Sequence, residues 1–362
     1  MFERIRQRWQ STSSALLEEG RELGADITED RHWLKAVFWL VLVLLIFTFG
    51  LGIYWSSEPE VFPVGQPVAQ AGSTPTDQTA DQPRVTGVAT ASALIQVAET
   101  LLDKPGGYLT NDLIPPGVWL DNIPNWEYGV LVQVRDLARV MRESYSRSQS
   151  QSAEDSALKD AEAQFNFNRN SWILPSTEDE YRRGIAYLKD YRARLVDADE
   201  HNAQFYARAD NLRFWLGTVE TRLGSLSQKL SASVGQRRLN TDLAGDKAAR
   251  QSTATPSEFE VKTPWNEVDD VFYEARGAAW ALIHFLRAAE IDFADVLADK
   301  NARVSFEQII RELEGTQETL RSPIILNGSG FGMLANHSLV MANYISRANA
   351  ALIDLRELLS RG

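Results

Sequence analysis

Aromatic, amide and acidic side chains crowd two stretches that lack helical spacing. Tyr108, Asn111, Asp112, Trp119, Asp121, Asn122 and Trp126 fall in the first, and Phe165, Asn166, Phe167, Asn168, Arg169, Asn170 and Trp172 in the second. Rings of this kind stack on a sugar or on a partner's side chain while a few amides set its orientation, as in many ligand pockets. The competing reading is structural: the aromatics plug the end of a helical bundle and the amides cap helices. Tyr108, Asn111, Asp112, Trp119, Asp121, Trp126, Asn168, Arg169 and Trp172 are the candidate binding residues, with Asp112 or Asp121 as the carboxylate that chemistry on a glycan or lipid would use.

Other motifs are weaker. The glycine-rich run at residues 327–332 precedes a helix, so Gly328, Ser329 and Gly330 form a candidate anion cradle of backbone N–H groups. The run lacks the spacing and the lysine of phosphate-binding loops, and a tight, closely packed turn is the reading it favours. His32, His201, His284 and His337 stand outside any metal-binding spacing and read as core or boundary residues. Asp270 and Glu274 share a helix face, as do Asp292, Asp295 and Asp299, arrangements that suit a hard cation or simply a solvated acidic face. Ser156 and Lys159 match a fragment of a penicillin-recognising motif without its companions. With no cysteine there is no thiol nucleophile, thiolate site or disulfide. Neither a metal, a cofactor nor a catalytic set is implied.

The elements that must carry these loops begin with an apolar run. Residues 36–57 contain no charge, and 22 residues of helix span about 33 Å, the thickness of a hydrocarbon core. Trp33 and Trp39 at one end and Tyr54 and Trp55 at the other are placed like interfacial belts. Arg21, Arg31 and Lys35 precede the run, whereas the first basic residue after it is Arg84, so the N-terminal tail, residues 1–35, is expected in the cytoplasm. A cleaved signal peptide is the competing reading, disfavoured by the length of the run and of the region before it. Phe2, Ile5 and Trp9 have the spacing of a short helix lying on the membrane surface, or belong to a solvated tail.

Residues 58–87, rich in Pro, Gln, Thr and Ala, are expected to be a flexible tether with a reach of roughly 30 Å. Residues 88–362 show helical periodicity almost throughout and no convincing alternating strand, so the fold class expected is all-α: a transmembrane helix, a linker and a helical bundle. Helices are expected near residues 88–103, from Asn125 as N-cap, and near 153–165. A heptad pattern from a Thr177/Glu180 capping box to Leu230 predicts one helix of up to about 50 residues, with Asn202 the strongly polar residue in its seam. Its wide apolar stripe favours packing inside a bundle over a free coiled-coil dimer. A polar stretch, residues 231–262, separates it from a helix started by Thr263 and Pro264; Ser305 and Gln308 cap another, stapled by Val304 and Ile309, and the last is expected near residues 333–359.

The net charge is −12, and the part beyond residue 57 carries 42 acidic against 31 basic side chains. Such a surface lacks the basic face that a nucleic acid needs. The strings KPGGYLTNDLIPPGVWLDNIPNWEYGVLVQVRDLARVMRESYSRSQSQS (104–152), FNFNRNSWILPSTEDEYRRGI (165–185) and SPIILNGSGFGMLANHSLVMANYISRANAALIDL (322–355) resemble a family of uncharacterised single-pass envelope proteins of proteobacteria, domain of unknown function 2333. The resemblance covers most of the chain from the apolar run onward. It implies an inner-membrane anchor with the bulk of the chain in the periplasm, and it carries no assigned activity. The expected function is a scaffold or binding protein of the cell envelope with a periplasmic protein or cell-wall partner. The alternative is an enzyme or carrier acting on cell-wall glycan or lipid.

Overall fold

The computed structural model describes residues 32–65, 85–148, 152–197, 202–239, 258–320, 322, 324–328 and 333–361. The chain divides into two compact units, Met1–Trp55 and Ser56–Gly362. In the first, α1 (His32–Trp55) runs 24 residues with a mean hydropathy of 2.7 over its most apolar window, of which only 6% is buried. It is long and apolar enough to cross a membrane. Thr48 turns its hydroxyl back to Leu44 O at 2.9 Å, satisfying the helix's polar side chain internally as hydrocarbon requires. The proposed surface helix at Phe2, Ile5 and Trp9 lies outside the described residues.

The second unit is built from α2 (Val88–Asp103), α3 (Asn122–Val140), α4 (Ser156–Phe165), α5 (Thr177–Val196), α6 (Ala209–Ser231), α7 (Val268–Asp292), α8 (Ala294–Asp299), α9 (Arg303–Gly315) and α10 (His337–Ser360). Helix α7 is its axis. From Ala275 to Leu286 every residue is buried, the mark of a helix enclosed on all sides. α3 lies so close that a Cβ on Gly129 would stand 2.0 Å from Glu274 O, and one on Gly277 2.1 Å from Trp126 O. Only glycine permits that backbone contact. Helices α2 and α9 also pack on α7, α4 pairs with α5, and α6 pairs with α10.

The fold class is as expected except for a small antiparallel ribbon, β1 (Gln236–Leu239) with β2 (Glu258–Val261), inside the polar stretch. The single long helix is not formed. α5 ends at Val196, and residues 202–208 run in irregular chain to α6. The break is held by tertiary contacts: Tyr206 N–H donates to Tyr145 O at 2.7 Å, Tyr191 Oη to Gln204 O at 2.6 Å, and the Phe205 ring packs 5.0 Å from Tyr145. Heptad residues on both sides are buried, Leu188 and Tyr191 in α5 and Leu212 to Leu230 in α6, but they face different neighbours. Asn202 is exposed and sits in no seam.

Helix starts also differ from expectation. Asp121 caps α3, Ser176 rather than Thr177 caps α5, and Asn336 caps α10. Pro264 precedes a 3-10 turn, with α7 beginning at Val268. α9 begins at Arg303, ahead of Ser305, and Val304 is 79% exposed, so no staple forms. Each capping group was identified by residue type, which several neighbouring residues share, and packing selected among them.

The expected tether begins docked. Arg276 Nε donates to Glu58 Oε2 at 2.5 Å, Trp280 Nε1 to Glu60 O at 3.3 Å, and the Phe62 ring stacks 3.7 Å from His284. Phe62 N–H donates to His284 Nε2 at 3.1 Å, so the ring's proton is on Nδ1, which donates to Trp280 O at 2.7 Å. Residues 58–64 thus form a strap laid along α7, because Val61, Phe62 and Val64 bury apolar surface that the composition of the whole stretch obscured. Residues 66–84 lie outside the described residues, and their flanks meet the same end of α7: Gly65 lies beside Ile291 and Gly87 N–H donates to Asp292 Oδ1 at 2.9 Å.

Burial pulls the His284 pKa down to about 4. The released strap would let it titrate near its ordinary value, so docking is at full strength above about pH 6.5 and weakens as pH falls toward 4. Proteolysis within residues 58–64 of the detergent-solubilised chain should therefore accelerate over that window, and a flat profile would refute the assignment. Phe62→Ala, which removes a partly buried ring, should cost about 2 kcal/mol by denaturant midpoint and expose the strap at neutral pH.

Candidate binding surface

Helix α2 ends at Lys104, where the chain turns inward. Lys104 Nζ pairs with Glu127 Oε1 at 2.6 Å with both side chains fully buried, and it donates to Gly107 O at 2.5 Å. Glu127 also accepts Leu109 N–H and Thr110 N–H, each at 2.8 Å, and the Thr110 hydroxyl at 2.5 Å. A buried ion pair is tolerable when its remaining hydrogen-bonding capacity is filled, and here the loop's own backbone fills it. Gly106 and Gly107 adopt φ of 85° and 74°, left-handed values that let the chain wrap the pair.

A second loop, residues 165–176, is fastened to the first. Tyr108 Oη donates to Arg169 O at 3.1 Å, and Asn111 Nδ2 donates to Ser171 O and to Glu178 Oε2, each at 2.9 Å. Arg135 of α3 holds the same loop through Phe165 O at 2.6 Å and Phe167 O at 2.9 Å. Arg169 lies over the Tyr128 ring at 4.3 Å. Asn168 Oδ1 accepts Asn170 N–H at 3.0 Å.

The structure sorts the nine candidate residues into two sets. Tyr108, Asn111 and Trp126 are buried; Trp126 packs 5.1 Å from Trp280, and its indole N–H has no hydrogen-bond partner among the described residues. Asp121 accepts Asn122 N–H as the α3 cap, and Asn168 and Arg169 brace the loop. Trp119 and Trp172 remain presented to solvent, 59% and 57% exposed. Asp112 lies against Gly117, and burial, with Glu127 and Glu178 nearby, raises its carboxyl above the usual range.

Sequence reasoning missed the aliphatic companions of the two tryptophans. Leu113, Ile114 and Val118 in the first loop and Ile173 and Leu174 in the second are all more than half exposed. Leu174 is 91% exposed and holds φ at 39°, a left-handed conformation that costs a leucine about 1–2 kcal/mol. A signal existed: these residues flank Pro115, Pro116 and Pro175 in segments that have no helical or strand face to bury them.

The remaining candidates are occupied structurally. Gly328 N–H donates to Ala335 O at 3.0 Å, and a Cβ there would stand 2.2 Å from Leu334 O. Gly328 is thus a packed turn position whose N–H is taken within the turn; Ser329 and Gly330 lie outside the described residues. Glu274 pairs with Lys229 at 2.9 Å, Asp270 accepts Asn125 Nδ2 at 2.6 Å, and Asp292 accepts the Thr90 hydroxyl at 2.6 Å. His337 Nδ1 accepts Leu326 N–H at 3.0 Å, and His201 lies outside the described residues.

A family model described as an uncharacterised protein conserved in bacteria, domain of unknown function 2333, matches residues 27–362. No curated protein and no solved structure matches the chain.

Removing one member of the buried ion pair leaves the other without a counter-charge. Glu127→Gln should lower stability by about 3 kcal/mol, measured by chemical denaturation of the detergent-solubilised chain, and should loosen both loops in amide exchange. Asp270 is raised to about 6 by burial and by crowding from Asp269, Asp121 and Glu267. Its folded value lies above its unfolded one, so its contribution is complete below about pH 4 and lost as pH rises through 6. The difference in Tm between wild type and Asp270→Asn should change across that window, the variant gaining relative stability as pH rises.

Proposed function

The chain belongs to this family of uncharacterised bacterial proteins, and on that premise we propose that it is a membrane-anchored scaffold or binding protein of the cell envelope whose contact surface is the joined loops at residues 104–121 and 165–176. Helix α1 is the anchor. The basic residues before it and their scarcity after it support a cytoplasmic N-terminus and a bundle on the periplasmic side of the inner membrane. The observation that carries the reading is the pairing of a rigid base with an apolar crest. Tyr108 and Asn111 lock the loops together from inside, while Trp119, Trp172 and their aliphatic neighbours face outward. Exposed apolar side chains gathered on two loops fastened to each other suit a contact site, and a preorganised one loses little entropy on binding.

A second reading rests on Asp112. A carboxylic acid raised by burial beside exposed aromatics is the type of group that protonates a leaving oxygen, so chemistry on cell-wall glycan or lipid is the alternative. Turnover of purified muropeptides or lipids that Asp112→Asn abolishes would establish it.

A photoreactive side chain at Trp119 or Trp172 in living cells should form adducts with an envelope component. The same group at Phe214 or Ile353, exposed positions on α6 and α10, should form few. Equal labelling at all four positions would remove the surface. At the centre of such a contact, Trp→Ala truncation is expected to weaken binding by about 2 kcal/mol, close to thirtyfold.

A further inference from the structure

The apolar crest belongs to a larger pattern. Asn125 bonds to Asp270 and Gly129 touches Glu274, so the N-terminal ends of α3 and α7 lie together and the joined loops lie at this end of the bundle. Lys229 pairs with Glu274 and Thr263 N–H donates to Ala232 O, so the β1–β2 ribbon leaves from the same end. Arg276 binds Thr316 O and Glu318 O at 2.9 and 3.0 Å, bringing the loop before α10 there as well.

Each of these segments carries exposed apolar side chains. Beyond the joined loops they include Trp265 at 87% and Phe259 at 44%, then Ile324, Met333 and Leu334, all above 60%. The opposite end, where Asp292 meets Gly87 and α9 begins, carries among the described residues the exposed valines Val85, Val196 and Val304 and, one turn into the start of α6 that Asn211 fastens to Ser144 O, the exposed Phe214, but no exposed tryptophan or leucine. Burial economy does not explain why, among the described residues of the bundle, the exposed tryptophans and leucines all gather at one end.

The chain itself identifies what covers that end. The strap runs from Glu58 on Arg276 toward Gly65 beside Ile291, so the bundle is joined to the preceding apolar helix at its apolar end. Between Trp55, the last residue of α1, and Glu58 stand only Ser56 and Ser57, a length of chain that reaches about 10 Å. Residues 66–84 add nothing to this reach, since both their flanks sit at the far end of α7. Exposed tryptophans suit the headgroup region, where an amphipathic ring is favoured, and the segments at this end also carry Arg169, Arg237, Arg238 and Lys262. The carboxylates of Asp121, Glu258, Glu260, Glu267, Asp269 and Asp270 belong to the same segments, with Glu260 opposite Arg237 on the ribbon, so the attraction is chiefly apolar.

We propose that this end of the bundle rests on the lipid surface of the bilayer that holds α1, with Trp119, Trp172 and Trp265 in the headgroup layer. This rests on the reading of the joined loops as a contact surface and names its partner. The bundle is thereby seated on the membrane at two places, the anchor and the loops, and its far end is the part offered to the compartment.

The absence of native cysteine makes the test clean. Single-cysteine chains carrying Ile114→Cys, Leu174→Cys or Ile353→Cys, each spin-labelled, are placed in nanodiscs of phosphatidylethanolamine and phosphatidylglycerol. The first two sites are so exposed that substitution removes little packing. The labels at 114 and 174 should favour collision with oxygen over a water-soluble nickel complex, and the label at 353 the reverse. All three favouring nickel overturns the proposal. The photoreactive group at Trp119 then separates the two readings. Phospholipid adducts support both. Protein or glycan adducts, a second copy of this chain included, leave the surface standing and overturn its assignment to lipid. No adducts at all overturn both.

Discussion

Gly129 and Gly277 let α3 and α7 meet backbone to backbone, and most of the bundle follows from that contact. It stacks Trp126 on Trp280, and it aims Glu127 at the C-terminal end of α2, where Lys104 is drawn in. Once that ion pair is buried, its remaining hydrogen-bonding capacity must be filled. Loop residues 107–110 fill it, and the loop that follows then emerges at one end of the bundle, braced against residues 168–171. A side chain at either glycine would force the helices apart and remove this support.

The strap follows the same axis. Its residues use the donors and acceptors that α7 still offers after its helix partners are in place: the guanidinium of Arg276, the indole N–H of Trp280 and the imidazole of His284. Each is a polar group deep in an apolar setting, where an unmet hydrogen bond is costly. The strap therefore completes the core as well as linking it to the apolar helix. Its hydrogen bond to His284 exists only while that ring is neutral.

Against this closely packed interior, the exposed crest stands out as a departure that stability does not reward. Leu174 holds a left-handed backbone and gains almost no burial from it, and Trp119 and Trp172 forgo the apolar transfer that Trp126 and Trp280 obtain. Residues that depart from the folding logic of the rest of a chain mark where something other than folding has shaped it.

Much of this was legible in the residues themselves. The uncharged run at residues 36–57 determined a helix long and apolar enough to cross a membrane, because its length and composition match a hydrocarbon core. Periodicity determined an all-α bundle, since a stripe at helical spacing has one face to hide, and residues such as Leu94 in α2 and Leu355 in α10 are buried on that face. What periodicity cannot carry is which neighbour each stripe meets. The heptads from Leu188 to Leu230 look continuous along the chain, yet the irregular stretch at residues 202–208 is held by Tyr191 of the helix before it and by Tyr145, a residue far away in sequence. The docking of residues 58–64, the burial of Lys104 with Glu127, and the sorting of the candidate loop residues into braces and exposed rings depend likewise on distant partners. Local pattern records what a side chain would prefer; only the folded chain decides which of those preferences can be met together.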